Sequence, residues 1–296
     1  MKILNIIFPK KRHIYYPDQI NIFKIKEENE NLLKQELIEQ FKFDKKNTFF
    51  ASSARALILT IFKSLKLKKD EYLILPNYSC SYLYKVAELF SNNIIFCGFN
   101  RDTTYIQTEL FEIIKRNNVK AIFFSPLFGN DEDYEINQKL KKKQIEIIYD
   151  HCQSINVKKK IIQLTDYDIY SFNFGKQING TGGGVVNTNK KIDLKLFTIQ
   201  KKSYILKRYI FFLIFSKYRR FFFLLSKFIE RSKSIDNFIG LLFSRERSNI
   251  SCYKIHKIDL FLVKNQISRV IDKNHILVNN YQILRDVFKN NLSRVN

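Results

Sequence analysis

Short apolar runs alternate with segments of helical periodicity through the first half of the chain. Three of these runs end at Pro76, Pro126 and Asp150, and helical segments of about ten residues separate them. Such alternation is typical of an α/β domain built on a largely parallel sheet. Chemistry in such sheets gathers at the carboxyl ends of the strands, so we expect functional groups near these three positions.

The pattern also predicts the bounds of the individual elements. Strands are expected at 71–76, 94–99, 119–126 and 145–150, and helices at 27–43, 79–90, 108–116, 131–143 and 258–289. The first helix is amphipathic, and its predicted buried face consists of Leu32, Leu33, Leu37, Ile38 and Phe41.

A short strand, a turn of small residues and a helix are predicted for residues 49–65. Small residues at a helix N-terminus let backbone N–H groups meet an anion such as a phosphate. An ordinary N-cap by Ser52 or Ser53 explains the same residues. The local pattern alone favours the N-cap.

Lys176 lies between an alternating aromatic run and a cluster of glycines. Four of the eight glycines of the chain fall within residues 180–184. Glycine permits positive φ and the close approach of another group, so we expect the cluster to shape the backbone beside the lysine. A phosphate loop of the Walker type is excluded, because Tyr170 stands where its first glycine would be and Gln177 follows the lysine.

Residues 204–230 combine lysines and arginines with aromatic and aliphatic residues and contain neither glycine nor proline. We predict a helical insertion that packs on the core or in a dimer interface. The alternative is a basic surface that lies on an anionic membrane. The longest apolar stretch, residues 209–215, is far shorter than the roughly 20 residues that a membrane-spanning helix needs.

Composition narrows the class of protein only slightly. The 296 residues suffice for one large domain or two ordinary ones. A net charge of +23 fits an acidic partner such as nucleotide phosphates, nucleic acid or a membrane surface, and equally fits compositional drift. The four cysteines show no Cys-x-x-Cys pair and no metal-ligand spacing, which favours a reduced, cytoplasmic protein without a metal site. The N-terminus does not have the pattern of a signal peptide.

The parts of a pyridoxal phosphate site occur along the chain in a compatible order. Such a site needs a lysine for covalent attachment, an acid for the pyridine nitrogen and donors for the phosphate. Lys176 is the candidate lysine, Asp150 is an acid 26 positions before it, and Ser171 lies five positions before it. Residues 52–55 supply a helix start, and Tyr78 supplies an aromatic ring. An ordinary helix N-cap is the other explanation of Asp150.

Four blocks of the sequence resemble the DegT/StrS-type sugar aminotransferases, which are fold-type-I pyridoxal phosphate enzymes. The blocks are a small-residue turn at 51–57, a proline-led block at 75–81 followed by 94–100, an acid block at 123–130 followed by 148–154, and a lysine block at 170–176 with 182–184. They follow the family's order at near-family spacing over about residues 45–190. Together they are more specific than any one of them.

The resemblance implies a fold and a division of the chain. It implies a large pyridoxal phosphate-binding domain over residues 1–200, with three α/β/α layers and a mostly parallel central sheet. Residues 201–250 would form the basic aromatic helical insertion. Residues 251–296 would form the start of a small C-terminal domain that is incomplete in this chain.

The resemblance also implies a role for each candidate residue. Lys176 would bond to pyridoxal 5'-phosphate and then move protons as general base and acid, while Asp150 would pair with the ring nitrogen. The resemblance further implies that Gln153 contacts the ring hydroxyl and that Ser171 contacts the phosphate. Ser53, Ala54 and Arg55 would also contact the phosphate, through backbone or side chain. Tyr78 would lie against the face of the ring.

The implied activity is transfer of an amino group from glutamate to a nucleotide-linked keto sugar, in the biosynthesis of cell-surface polysaccharides or glycans. The implied partners are the nucleotide sugar, the amino donor and a second copy of the chain in a homodimer, with no nucleic acid. The implied location is the cytoplasm, with a peripheral membrane contact through 204–230 as an option. A related sugar dehydratase carries histidine in place of the lysine, so Lys176 argues against that activity.

Some positions depart from the family pattern. Pro126 and Asn173 stand where the family usually has histidine, and the threonine of the phosphate turn is replaced near Ala54. Residues 254–281, including Gln266, resemble the helix that opens the family's C-terminal domain, and we find no counterpart of its later elements. Two other functions therefore stay open: a catalytically impaired, shortened paralogue, and a basic protein of the membrane surface.

Overall fold

A seven-stranded sheet organises the chain, and helices cover both of its faces. The computed structural model describes residues 25, 28–44, 47–100, 105–126, 134–153, 164–173, 176–193, 197–201, 203–210, 252–267 and 270. The strands are β1 (Thr48–Ala51), β2 (Tyr72–Pro76), β3 (Ile94–Cys97), β4 (Val119–Phe124), β5 (Glu146–Asp150), β6 (Tyr167–Ser171) and β7 (Gly184–Thr188). The helices are α1 (Glu30–Phe41), α2 (Ala54–Leu65), α3 (Ser81–Ala87), α4 (Gln107–Arg116) and α5 (Tyr134–Lys142), and residues 203–210 and 257–267 are also helical.

The strand order is β1–β7–β6–β5–β4–β2–β3. The five strands from β6 to β3 run parallel, and β7 is antiparallel to both of its neighbours, β6 and β1. In the register, Asp150 lies opposite Ile169, while Ser171 and Ala51 both lie opposite Gly184. The carboxyl ends of β5, β6 and β1 therefore meet at one edge of the sheet.

Alternate residues of the central strands pack on opposite faces, which gives the three layers. Leu73 and Leu75 belong to the cluster that contains α2 and α3, whereas Ile74 belongs to the cluster that contains α4 and α5. A third cluster joins α1 to the end of β6 and to the 257–267 helix. The α/β class with a mostly parallel sheet, predicted from the sequence, is confirmed.

Helix α1 has a narrower buried face than the sequence pattern predicts. Leu33, Leu37 and Ile38 are buried, but Leu32 is 50% exposed, so its predicted burial is wrong. Successive helical residues are about 100° apart, and only one stripe of this helix meets the core. The helix begins at Glu30 because the Asn29 side chain caps it, accepting the Asn31 N–H at 2.8 Å.

The predicted insertion and C-terminal segment are described only in part. Residues 203–210 and 257–267 are helical, whereas residues 211–250 and 271–296 lie outside the described residues. The predicted divisions at 200 and 250 stay predictions. In the part of the chain that the structure describes, no helix is both long enough and apolar enough to cross a membrane.

Candidate active site

Asp150 is the last residue of β5 and is half-buried at the edge where the strand ends meet. Its Oδ1 accepts the backbone N–H of Cys152 at 2.9 Å, and this bond closes the turn His151–Gln153. Asp150 therefore caps the turn that follows β5, which agrees with the N-cap explanation of this residue. A carboxylate has two oxygens, so this cap is compatible with a second partner such as a ring nitrogen.

The Cys152 thiol shows which groups gather at this edge. Burial raises the pKa of the thiol well above its ordinary value, and the Asp150 carboxylate raises it further. The Lys176 ammonium and a hydrogen bond with Ser171 lower the same pKa. The structure thus brings Asp150, Ser171 and Lys176, three of the residues predicted for the site, around one side chain that the sequence reasoning gave no role.

Lys176 is half-buried, and its backbone is hydrogen-bonded to the preceding segment. Its N–H donates to the Asn173 carbonyl at 3.1 Å. Among the described residues, no carboxylate oxygen lies within 4.0 Å of its ammonium.

The N-terminus of α2 lies beside the glycines that follow Lys176. Ser53 caps this helix by accepting the Ala56 N–H at 3.2 Å, so the predicted N-cap is present. Ser53 also bridges to Gly183, whose N–H donates to the Ser52 carbonyl at 2.6 Å. The first turn of a helix leaves backbone N–H groups without a helical acceptor, so the cap and an anion-binding role are compatible.

Neighbouring groups occupy the space beside two glycines of the cluster. A Cβ on Gly184 would stand 2.6 Å from the backbone N of Ala54, so only glycine lets β7 meet the start of α2. A Cβ on Gly182 would stand 1.6 Å from a guanidinium nitrogen of Arg208. The cluster therefore shapes the backbone beside the lysine by admitting neighbours closely.

Three further predicted residues lie around this edge with contacts of their own. Gln153 is exposed, and its backbone carbonyl accepts from the side-chain Nε2 of Gln177, the neighbour of Lys176, at 3.4 Å. Arg55 is exposed, and its guanidinium carbon lies 5.2 Å from the centre of the Tyr82 ring. Tyr78 is 67% exposed just after β2, two strands from β5. Their cofactor roles stay predictions.

A buried polar network beneath the edge was missed from the sequence. His151 Nε2 lies 2.9 Å from Asp168 Oδ1, and Thr165 donates to Asp168 Oδ2 at 2.5 Å. The imidazole lies between the rings of Tyr149 and Tyr170, at 5.3 and 4.8 Å. The sequence signal for this network was an aspartate, Asp168, within a strand of mainly aromatic and aliphatic residues.

Side chains from late in the chain also reach this region. Arg208, Asp259 and Gln266 make hydrogen bonds to residues 179–182, directly after the lysine. Gln266 lies in a block that the sequence singled out, but no pattern linked any of the three to Lys176. Their pairing spans between 27 and 87 positions of sequence, and single-sequence periodicity carries no information about such contacts.

The model of the DegT/DnrJ/EryC1/StrS aminotransferase family matches residues 25–208. The chain belongs to this family. The family predicted from the four sequence blocks and the α/β class predicted from the alternation of strands and helices are both confirmed. Asp150, Ser171 and Lys176 lie inside the matched range, whereas Asp259 and Gln266 lie beyond it.

Known proteins are similar to this chain at low identity. A GDP-4-keto-6-deoxy-D-mannose 3-dehydratase of Yersinia pseudotuberculosis is 23% identical over 205 residues, which are 64% of this chain and 52% of that protein. A DegT/DnrJ/EryC1/StrS aminotransferase from Brucella abortus has a TM-score of 0.54 at 16% identity, covering 87% of this chain and 64% of that one. Helicobacter pylori PseC, an aminotransferase involved in the biosynthesis of pseudoaminic acid, has a TM-score of 0.50 at 18% identity, covering 57% and 48%. These structural likenesses show the fold. The chain spans about half the length of the curated relative it matches.

Proposed function

We propose that this protein is a pyridoxal phosphate-dependent aminotransferase that acts on a nucleotide-linked keto sugar. The observation that carries the proposal is the gathering of Asp150, Ser171 and Lys176 around the Cys152 thiol in a chain of the DegT family. An acid, a hydroxyl and a lysine at the end of two adjacent parallel strands are the groups that this cofactor needs.

The described residues fit pyridoxal phosphate at both of its ends. Lys176 would hold its aldehyde carbon and Asp150 its ring nitrogen, with Gln153 beside the ring hydroxyl and Tyr78 over the ring. Ser171 and the α2 start, with Ser53, Ala54 and Arg55, would hold the phosphate at a helix N-terminus. When bound, the cofactor supplies an electron sink for charge that develops on the substrate carbon.

The protein's own groups account for the proton movements of the reaction. The Lys176 amine would act as the general base and then the general acid of the 1,3-proton shift, taking the proton from the α-carbon of the amino donor and returning it on the far side of the transferred nitrogen. Asp150 keeps the ring nitrogen protonated, because a carboxylate beside a pyridinium favours the charged form. Ser171 and the α2 backbone fix the phosphate, which keeps the reacting carbon near the lysine.

The cofactor claim is tested by absorbance. Purified protein incubated with pyridoxal phosphate should show the visible band of lysine-bound cofactor, and borohydride should remove the band and leave the cofactor on the peptide that contains Lys176. Lys176→Ala should abolish both signals, while Lys191→Ala, at an exposed lysine, should keep them. A folded wild type without the band would overturn the proposal.

The substrate and the amino donor are the finer part of the proposal. PseC is an aminotransferase of sugar biosynthesis, and the Yersinia relative carries the name of a GDP-sugar enzyme, which supports a nucleotide sugar. The net charge of +23 fits a diphosphate substrate, although compositional bias explains it equally. Glutamate is the proposed donor. Transfer is measured as formation of 2-oxoglutarate together with an amino sugar.

A 3-dehydratase is the second candidate, because the Yersinia relative carries that name. Lys176 counts against it, since the sugar dehydratases of this family carry histidine at the lysine position. The two reactions differ in the mass of the product, because a dehydratase removes water whereas an aminotransferase replaces a carbonyl oxygen with nitrogen. Incubation of the protein with GDP-4-keto-6-deoxymannose and glutamate, followed by mass spectrometry, separates them. A cofactor band without either product would favour an impaired paralogue.

The assembly and the location are further proposals. We propose a cytoplasmic homodimer in which 204–230 lies in the interface or on an anionic membrane. In the described part of this segment, Leu206 and Ile210 are exposed apolar residues. Light scattering measures the dimer. Co-sedimentation with anionic vesicles should collapse when Arg219 and Arg220 become Glu, and unchanged sedimentation would contradict membrane binding.

A further inference from the structure

We propose that Asp259 and Gln266 are positioning residues that hold the loop behind Lys176 and thereby set the exposure and reactivity of its amine. The loop concerned, called the glycine loop here, consists of residues 179–184. The link to catalysis rests on the proposed function, whereas the link to the loop rests on contacts within the chain.

Gln266 holds the first residue of the glycine loop through both ends of its amide. Its Oε1 accepts the backbone N–H of Asn179 at 3.1 Å, and its Nε2 donates to the Asn179 carbonyl at 2.7 Å. Nε2 also donates to the Leu262 carbonyl at 2.8 Å, which fixes the side chain on its own helix. Gln266 and Asn179 are both buried, so loss of these bonds leaves buried polar groups unpaired and destabilises the closed loop.

Asp259 holds the next part of the loop through one oxygen. Its Oδ1 accepts the Thr181 hydroxyl at 2.6 Å and the Gly182 N–H at 2.9 Å. Asp259 is 1% exposed, and a buried carboxylate needs such donors and a counter-charge. Arg208 supplies the counter-charge at 3.9 Å.

Arg208 also contacts the glycine loop directly. Its Nε donates to the Thr181 carbonyl at 2.9 Å, and its guanidinium covers the face of Gly182 where a Cβ would stand. The basic segment that begins near residue 204 therefore contributes at least one residue to the support of the lysine loop. Thr181 is bonded through its hydroxyl to Asp259 and through its carbonyl to Arg208.

The contacts of the glycine loop limit the position of Lys176 because the loop is short and is hydrogen-bonded at both ends. On the strand side, the Phe172 N–H donates to the Gly183 carbonyl at 2.9 Å, and the Gly180 N–H donates to the Phe172 carbonyl at 2.6 Å. Asn179 follows Lys176 by three residues, so its anchor limits how far the lysine backbone can shift. A displacement of about 1 Å at a reacting group lowers rates substantially.

Hydrogen exchange in the cofactor-free protein tests the loop contacts directly. Gln266→Ala should speed exchange of the Asn179 amide about fivefold or more, and Asp259→Ala should do the same for the Gly182 amide. Asn265→Ala, at an exposed neighbour on the same helix, is the matched control. Unchanged exchange in both variants would overturn the proposal. If the alanine variants do not fold, Gln266→Glu and Thr181→Val remove single donors with little change of size.

Competitive labelling of lysines with acetic anhydride tests the consequence for Lys176. In folded Gln266→Ala and Asp259→Ala, the labelling rate of Lys176 relative to exposed Lys191 should change by about twofold or more, whereas Asn265→Ala should leave it unchanged. A purely structural role would lower the unfolding midpoint without moving this ratio, and that result would overturn the positioning role.

The pH titration of the visible band separates this proposal from the proposed function. If the wild type shows no band, the aminotransferase proposal fails, and the exchange and labelling experiments still decide the role of the two residues. If the wild type shows the band, its titration midpoint should move in Gln266→Glu and stay in place in Asn265→Ala. A midpoint that is the same in all three proteins would overturn the link from the loop to the lysine.

Discussion

The edge around Cys152 uses residues that precede Lys176 in the chain, whereas the glycine loop follows Lys176. The two regions differ in their exposure and in the contacts that hold them. At the edge, Asp150, Ser171 and Lys176 are half-buried, and the parallel register of β5 and β6 places Asp150 and Ser171 at neighbouring strand ends. In the loop, residues 179–184 are buried, and side chains from two later helices satisfy their backbone groups.

The difference follows from what each region has to do. Groups that meet a cofactor and a substrate need access, so they cannot be fully enclosed by protein contacts. Their positions then depend on neighbouring backbone that is enclosed, because a site on an unsupported loop loses precision. Four experiments test this division, taken from the largest expected effect to the smallest.

Gly184→Ala should disrupt the junction between the two regions. The new Cβ would stand 2.6 Å from the backbone N and 2.9 Å from the Cα of Ala54, and backbone atoms cannot rotate away. We expect a loss of about 3 kcal/mol in the free energy of unfolding, measured with urea. Gly98→Ala is the control, because its nearest contacts are the side chains of Glu109 and Ile106. Equal losses in the two variants would contradict the close packing at Gly184.

Gly182→Ala should have a smaller effect of about 1 kcal/mol in the same measurement. The Cβ would displace the guanidinium of Arg208, which is the far end of a flexible side chain. The Arg208→Ala variant loses the same contacts, so the double variant should cost less than the sum of the single ones. Strict additivity would show that the two residues do not share a site.

The alkylation rate of Cys152 reports the charges around this thiol at the edge where the strand ends meet. Asp150 raises the pKa of this thiol and Lys176 lowers it, so Asp150→Asn should increase the thiolate fraction and Lys176→Ala should decrease it. Cofactor-free protein treated with iodoacetamide should therefore react several-fold faster in the first variant and several-fold slower in the second. Peptide mapping separates Cys152 from exposed Cys80, whose rate should stay the same. Rate changes of the same sign in both variants would contradict the arrangement.

The smallest effect on stability is expected at His256, which directly precedes the 257–267 helix that supports the glycine loop. Burial lowers its pKa below 6.5; Asp259 and Glu30 oppose the shift, and Lys257 and Arg208 add to it. The unfolded chain therefore binds the proton first as pH falls, so this contribution to stability is present above about pH 6.5 and is lost below it. His256 Nδ1 also accepts the Ile258 N–H at 3.2 Å, which protonation removes.

The measurement for His256 compares unfolding midpoints near pH 7.5 and near pH 5.5 in the wild type and in His256→Gln. The decrease on acidification should be smaller in the variant, because glutamine does not titrate. A decrease of equal size in both proteins would assign the pH dependence to other groups.

The local sequence pattern was sufficient to predict the strands and to find the candidate reactive groups. Apolar runs that end at Pro76 and Asp150 predicted strand ends at the edge where the candidate site lies, because period and strand length are local properties. Lys176 and its glycines were recognisable because glycine is scarce in this chain. Leu32 was assigned to the wrong face, since periodicity gives the direction of a stripe but not its width.

The sequence by itself determined the α/β class, the family and the set of candidate residues. Only the tertiary structure decided that Cys152 lies among Asp150, Ser171 and Lys176, and that Arg208, Asp259 and Gln266 enclose the glycine loop. The physical reason is the range of the interactions. Strand and helix patterns arise from neighbours in sequence, whereas a carboxylate or an amide can hold a backbone group up to 87 positions away once packing brings the two together.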